Sequence, residues 1–254
     1  MKLSLGHYGP AYTGIRTVPA GCIGFWLQSG WNDLRANPLP GLAYGLLFSI
    51  TGDLILLATL GQVHLFTVAL SGFFLLAPLL AAGLYELSRQ KAAGTQPTFI
   101  DSLSVFWRNR ESFALLGVVL VLLAIIWERT SAILFALLGN GSALDFLQFL
   151  DQVGNGEHLH LVGAWFLCGG LLALLTFAIS VVAVPMMIDR DTDFVSAMQT
   201  SVRVCIANSR VMLLWAAVIV GLTIIGFATL LLGLVIIMPI LGHASWHAYR
   251  DLVE

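Results

Sequence analysis

The chain of 254 residues is 58% hydrophobic and only 10% of its residues are charged, whereas an average soluble domain has roughly 25% charged residues. This composition excludes an ordinary water-soluble protein of this length. The formal net charge is −2, which excludes a nucleic-acid-binding protein, because such a protein needs clustered cations to neutralise phosphates.

The N-terminal segment, residues 1–39, has no apolar run long enough to cross a bilayer, and we predict that it is cytoplasmic. Part of it carries apolar residues at helical spacing, namely Ile23, Trp26, Leu27, Gly30, Trp31 and Leu34. Such a stripe is typical of a helix that lies in the membrane interface. Similar stripes after the second and fourth apolar runs predict two more interfacial helices.

Residues 40–254 form the predicted membrane domain. A helix of about 20 apolar residues crosses the hydrocarbon core, and the apolar runs provide six such spans. The last two come from one uncharged stretch that is too long for a single crossing, so we place a break between about Gly226 and Gly233. The predicted spans are 40–60, 63–87, 112–131, 158–188, 211–229 and 231–249.

The basic residues orient these spans. Of the twelve Lys and Arg residues, all but Arg129 fall on one side of the bilayer once the six spans are drawn. The positive-inside rule assigns that side to the cytoplasm, so both termini are cytoplasmic and three hairpins point outward. The predicted fold class is all-α: a polytopic transmembrane helical bundle with interfacial amphipathic helices.

Asp53 lies inside the first predicted span, where a carboxylate is costly on insertion scales, by about 2.5 kcal/mol or more. Ser49 precedes it by one helical turn, and the geometry of the hairpin places Ser71 opposite it. Two interpretations stay open. A protonated Asp53 can join the hairpin by a hydrogen bond to Ser71 or to a backbone carbonyl, or it can handle ions or protons as a carrier residue.

His243 and His247 are four residues apart and therefore share one helical face. Two histidines at that spacing can chelate a metal ion, but a site needs a third or fourth ligand, for which Glu86 is one candidate. The alternative is an interfacial cluster in which the histidines bind headgroups. The predicted interfacial anchors are Trp26, Trp31, Trp107, Trp246 and Tyr249, because tryptophan and tyrosine favour the membrane–water boundary.

The chain also resembles a known family through several short segments. They are Trp26, Gly30-Trp31, Asp33-Leu34, Tyr44-Gly45-Leu46, Pro78-Leu79, Gly83-Leu84-Tyr85-Glu86, Ser88-Arg89, Pro239-Ile240-Leu241-Gly242-His243-Ala244, Trp246-His247 and Tyr249-Arg250. The chain is similar here to the bacterial integral-membrane family known as domain of unknown function 2189, over nearly all of Val18 to Val253. The resemblance implies a multispanning protein of the bacterial inner membrane with no established activity.

Some relatives in that family carry the name of a cytochrome c oxidase subunit. A catalytic oxidase subunit needs several intramembrane histidines, whereas only His64, His243 and His247 lie in or beside predicted spans, and no Cys-x-x-Cys-His haem-attachment motif is present. These residues exclude a catalytic oxidase subunit. An accessory subunit of a respiratory complex stays open.

The sequence contains no Walker loop, His-Glu-x-x-His motif or nucleophile elbow, so we assign no catalytic residue, expect no enzyme and predict no cofactor. The favoured function is a non-enzymatic scaffold or accessory subunit that lies in the lipid bilayer and binds another membrane protein, with a respiratory complex as one candidate partner. The alternative is a carrier of small solutes, ions or protons that uses Asp53. A third hypothesis is a metal or haem site at His243 and His247.

Overall fold

A computed structural model describes residues 14–59, 69, 72–73, 77–138, 151–190 and 192–253. Within these residues the secondary structure is helical, apart from turns, short connections and one isolated β-bridge. The predicted all-α fold class is confirmed. The number of six spans and their arrangement as three hairpins stay predictions.

The helices follow one another with short connections at most of the described junctions. They are α1 (Cys22–Ala36), α2 (Pro38–Ala58), α3 (Ala82–Ala92), α4 (Phe99–Arg108), α5 (Arg110–Leu138), α6 (Leu159–Ser180), α7 (Ala183–Asp189), α8 (Phe194–Ala207), α9 (Ser209–Ala228) and α10 (Leu234–Leu252).

Local sequence explains several of these boundaries. Asn37 separates α1 from α2 with φ −144° and ψ 78°, because Pro38 disfavours the helical conformation in the residue before it. Thr98 begins α4 with a capping box, in which its hydroxyl accepts from the Asp101 amide and the Asp101 carboxylate accepts from the Thr98 amide. The interfacial helix predicted after the second span is therefore a separate, capped helix.

Four helical segments in the described part of the chain are long and apolar enough to cross a membrane: Pro38–Ala58, Arg110–Leu138, Leu159–Asp189 and Ser209–Ala228. They lie at the predicted spans 40–60, 112–131, 158–188 and 211–229. Most of the predicted span 63–87 lies outside the described residues. The predicted span 231–249 corresponds to α10, which is not among the four because its second half is polar.

The connection between α9 and α10 is a tight turn without Pro, Asn or Asp. Leu230 and Leu231 both take left-handed conformations, with φ 52° and 64°, which is strained for a residue with a branched side chain. Thr229 supports the turn, since its hydroxyl donates to the Gly226 carbonyl and accepts from the Gly233 amide, both at 2.8 Å. The turn lies inside the interval where the sequence places the break.

Helix α10 is the centre of the packing. It lies along α1 and α2 and also contacts α3 and α9. Two glycines permit the close approach: a Cβ on Gly30 of α1 would lie 2.6 Å from the Ile240 carbonyl oxygen, and a Cβ on Gly45 of α2 would overlap the Val235 carbonyl. Glycine at these positions lets the helix backbones touch, as is common between membrane helices.

The two ends of the described chain meet on the same side of the molecule. Ile15 pairs with Val253 in an antiparallel bridge, and the Arg16 amide donates to the Leu252 carbonyl at 3.0 Å. Because residues 15 and 253 are adjacent, any crossings of a bilayer by the chain between them would come to an even number.

Candidate functional site

Asp33 is the hub of a buried polar cluster where α1, α3 and α10 meet. Its side chain is only 10% exposed. The Lys91 ammonium donates to Oδ1 at 2.7 Å, the Ser88 hydroxyl donates to Oδ2 at 2.8 Å, and His247 Nε2 lies 2.9 Å from Oδ2. We name Asp33, Ser88, Lys91, His243 and His247 the Asp33 cluster; it joins three helices that are distant in sequence.

The hydrogen bonds also determine the tautomer of His243. Its Nδ1 lies 2.7 Å from the Ser88 hydroxyl oxygen. A serine hydroxyl has one proton, and Ser88 donates that proton to Asp33. His243 must therefore donate from Nδ1, and in the neutral imidazole Nε2 then carries a lone pair.

The charge state of Asp33 follows from the same contacts. Burial alone would raise the pKa of its carboxyl, but hydrogen bonds from His247, Lys91 and Ser88 outweigh burial and hold that pKa well below its ordinary value. A carboxyl whose pKa is depressed by folding adds stability above its unfolded pKa and loses it as the pH falls through the folded pKa. The ionised cluster therefore stabilises the fold at neutral pH.

Replacing Asp33 by asparagine is expected to lower the free energy of unfolding by about 2–3 kcal/mol at neutral pH, because charged hydrogen bonds are lost. The difference from wild type should begin to shrink as the pH falls below about 4, because the carboxyl of the unfolded chain then becomes protonated while the native carboxyl, with its depressed pKa, stays ionised. Thermal unfolding of the detergent-solubilised protein from pH 3 to pH 8 measures this, with Glu157→Gln as an exposed control. A difference that stays constant down to pH 3 would contradict the assigned charge state.

Glu86 forms a second cluster beside the first. Its side chain is 0% exposed, and its two oxygens accept from Arg89 at 2.7 and 2.8 Å, from Gln90 at 2.6 Å and from Arg108 at 2.9 Å. Arg108 belongs to α4, so this carboxylate attaches the amphipathic helix to α3. A buried carboxylate with this many donors is fully compensated.

A third cluster ties α7 to α10. Asp189 accepts from the Tyr249 hydroxyl and from Arg250, both at 2.9 Å, and Arg190 donates to the Tyr249 hydroxyl oxygen at 3.0 Å. The three clusters together hold α1, α3, α4, α7 and α10 at one end of the molecule, which we name the polar end. Their acids and bases bind each other, so the arrangement is structural in character.

The structure does not bring Glu86, the proposed third metal ligand, to the two histidines. His243 and His247 share a face of α10, but Glu86 binds Arg89, Gln90 and Arg108, and the carboxylate next to the histidines is Asp33. Among the described residues, no group of three His, Cys, Asp or Glu side chains is arranged to hold a metal ion.

Asp53 and Ser49 lie one turn apart on α2 but do not bind each other. The Ser49 hydroxyl is buried and donates to the Leu231 carbonyl at 3.1 Å, in the turn between α9 and α10. Asp53 is half-buried, and its carboxylate forms no hydrogen bond or ion pair with a described residue. Ser71, its predicted partner, lies outside the described residues.

The five predicted interfacial anchors divide into two groups. Trp31 and Trp107 are 43% and 79% exposed, as a membrane-facing ring would be. Trp26, Trp246 and Tyr249 are buried inside the protein: Trp26 donates to Asp251 at 2.7 Å and packs edge-on against Trp215, and Trp246 packs on Tyr249. These rings have polar or aromatic partners within the fold, which the sequence alone does not reveal.

Sequence reasoning missed Asp33, Ser88 and Lys91. One signal was available for Asp33, since it follows Trp26 and Gly30 at helical spacing and so falls on the apolar stripe of α1. An acid on the buried face of an amphipathic helix needs a partner. No comparable signal marks Ser88 or Lys91, because their role depends on how α3 packs against α1 and α10.

Comparison with known proteins agrees with this architecture. Residues 65–189 match the model of a family described as "Predicted integral membrane protein (DUF2189)", so the resemblance seen in the sequence is confirmed over that segment. No curated protein and no solved structure matches the chain.

Proposed function

We propose that this chain, which belongs through residues 65–189 to a family of predicted integral membrane proteins, is a non-enzymatic scaffold or accessory subunit of the bacterial inner membrane. It binds another membrane protein, for which a respiratory complex is one candidate, and needs no cofactor. Its polar end and both termini face the cytoplasm, in agreement with the positive-inside rule and with an even number of crossings.

The observation that carries this proposal is an open glycine face on α6. A Cβ added to Gly163 or Gly170 would meet no atom of the described part of the chain within 4 Å. The two glycines lie two turns apart on one face, and Phe166 and Leu167 between them are 67% and 65% exposed. Gly169 shows the contrast, because a Cβ there would lie 2.7 Å from the Trp127 ring of α5. We name Gly163, Phe166, Leu167 and Gly170 the open glycine face.

A lipid chain does not explain these glycines. Glycine lowers helix stability by about 1 kcal/mol relative to alanine. A flexible lipid tail packs no better against glycine than against alanine, so lipid contact does not offset this loss. A second helix does gain, because small residues allow the two backbones to approach and pack closely. The open glycine face therefore favours a protein helix as its neighbour.

The polar groups support a structural role over an enzymatic one. In the described part of the chain, the buried acids Asp33 and Glu86 have their oxygens occupied by donors from the same protein. A catalytic acid or base must instead be free to reach a substrate. The favoured role is therefore one of holding helices in place for a partner.

Affinity purification from membranes in mild detergent tests the proposal. We expect a second membrane protein at stoichiometric amount with the wild-type chain. The double variant Gly163→Leu/Gly170→Leu should retain its own folding and lose the partner, because two leucines fill the contact. Gly221→Leu on α9, where a Cβ is also unobstructed, should keep the partner. A wild-type chain that purifies alone would overturn the proposal.

A carrier function is the second candidate, and the position of Asp53 inside an apolar helix favours it. A half-buried acid in an apolar helix, without a partner among the described residues, is a candidate for ion or proton handling. In proteoliposomes with a potassium diffusion potential, a trapped pH-sensitive dye should report proton entry that Asp53→Asn abolishes and Asp53→Glu retains. Equal rates for wild type and Asp53→Asn would exclude a proton carrier that uses this residue.

A further inference from the structure

A cavity of about 210 Å³ lies beside the Asp33 cluster. It is bounded by the end of α1, by α3 with the loop that follows it, and by α10. The polar residues on its wall include Asp33, Asn37, Ser88, Lys91, Gln96 and His243. Asn37 on this wall directly precedes Pro38, where the apolar helix α2 begins, so the cavity lies beside the start of a candidate membrane span.

His243 gives this cavity an unused hydrogen-bond acceptor. The residue is only 3% exposed and lines the cavity. Its Nδ1 donates to Ser88, so Nε2 carries the lone pair, and no described residue is hydrogen-bonded to Nε2. Nε2 is not among the fully enclosed side-chain atoms that lack a partner, so it is accessible and free to accept a hydrogen bond from a molecule in the cavity.

Lys91 gives the same cavity a donor. Its ammonium group has three N–H bonds; one donates to Asp33 at 2.7 Å and another to the Asn32 carbonyl at 3.3 Å. One N–H remains, and the side chain is 37% exposed. The cavity wall therefore offers an acceptor on α10 and a donor on α3.

The charges select a neutral ligand. Asp33 and Lys91 form an ion pair on the wall, so their charges offset each other. Because the pair carries no net charge, an ammonium, phosphate or carboxylate group inside the cavity would gain too little attraction to offset the cost of its own desolvation. A hydroxyl group carries no charge and both donates and accepts, so it can donate to Nε2 of His243 and accept from Lys91.

We propose that this cavity binds a small neutral polyhydroxyl group with hydroxyls on adjacent carbons. Two sources have this chemistry: a free polyol in the cytosol, or the glycerol headgroup of phosphatidylglycerol, whose phosphate would stay outside the cavity. This inference is independent of the proposed scaffold role, since it concerns the polar end and not the open glycine face.

The test uses the full chain, labelled with ¹⁵N-histidine, in nanodiscs of phosphatidylcholine. The Nε2 signal of His243 is assigned by its loss in His243→Gln. Addition of glycerol or myo-inositol is expected to shift this signal with saturation, because Nε2 becomes a hydrogen-bond acceptor. If only nanodiscs that contain phosphatidylglycerol shift it, the ligand is the lipid headgroup. If neither the free polyols nor the lipid shifts it, the proposal is overturned.

Two variants at the same position separate binding from folding. His243→Phe removes the acceptor and should weaken polyol binding by about tenfold, the effect of one hydrogen bond. His243→Gln keeps a carbonyl acceptor and should recover most of the affinity, measured by isothermal titration calorimetry with myo-inositol. The control His160→Gln, outside the cavity, should bind like wild type. Unchanged binding in His243→Phe would overturn the assignment of Nε2 as the acceptor.

Discussion

Gly45→Ala is expected to lower the free energy of unfolding by about 3 kcal/mol or more, since the new methyl group overlaps the Val235 carbonyl of α10. The neighbouring atoms are helix backbone, which cannot move aside without separating α2 from α10. At about 2–4 °C per kcal/mol, the melting temperature in detergent should fall by about 10 °C. A thiol-reactive dye that reports on the native cysteines measures the transition.

The matched control is the same substitution where no atom lies nearby. A Cβ on Gly221 of α9 would meet no atom of a described residue within 4 Å. Gly221→Ala should therefore leave stability unchanged or raise it by up to about 1 kcal/mol, through helix propensity. Equal destabilisation by both substitutions would contradict the packing of α2 on α10.

Glu86→Gln is expected to be comparably destabilising, by about 3–5 kcal/mol, the range for breaking a buried ion pair from one side. The glutamine amide removes the negative charge that Arg89 and Arg108 both bind, and its NH₂ group faces donors. We expect a fall of about 10 °C in the melting temperature and faster proteolysis at the junction between α3 and α4.

Glu111→Gln serves as the control for Glu86. Glu111 lies in the first turn of α5, is exposed and has no hydrogen bond or ion pair with a described residue. Its charge is worth at most about 1 kcal/mol next to the helix N-terminus. If Glu86→Gln unfolds at the same temperature as Glu111→Gln, the Glu86 cluster does not hold α3 and α4 together.

The helical fold follows from the sequence where apolar runs are long. The apolar runs of α2, α5 and α9 predict the first residue of each helix to within a few positions. A backbone in lipid must satisfy its own hydrogen bonds, and a helix does this within one segment. The end of α5 was harder to place, since Arg129 and Glu128 suggest a boundary while the helix continues to Leu138. The two residues form an ion pair at 2.6 Å. The pair reduces the free-energy cost of placing two charged side chains within an apolar helix.

The candidate site could be predicted only in part. The four-residue spacing of His243 and His247 correctly places both imidazoles on one face of α10. His247 binds Asp33 on α1, more than two hundred residues earlier, and His243 binds Ser88 on α3. Sequence spacing carries no information on such distant contacts. The buried position of Trp26 depends on the same packing, because the hydrophobic stripe of α1 packs against α10.

The central claim is that the chain crosses the bilayer between its polar end and the turn before α6, and cysteine accessibility tests it most directly. Thr95→Cys, in the loop that borders the cavity, and Asn155→Cys, before α6, are each made after Cys22, Cys168 and Cys205 are replaced by serine. In intact cells, a membrane-impermeant maleimide should label position 155 directly and position 95 only after permeabilisation. Labelling of both positions from the same side of the membrane would contradict the account.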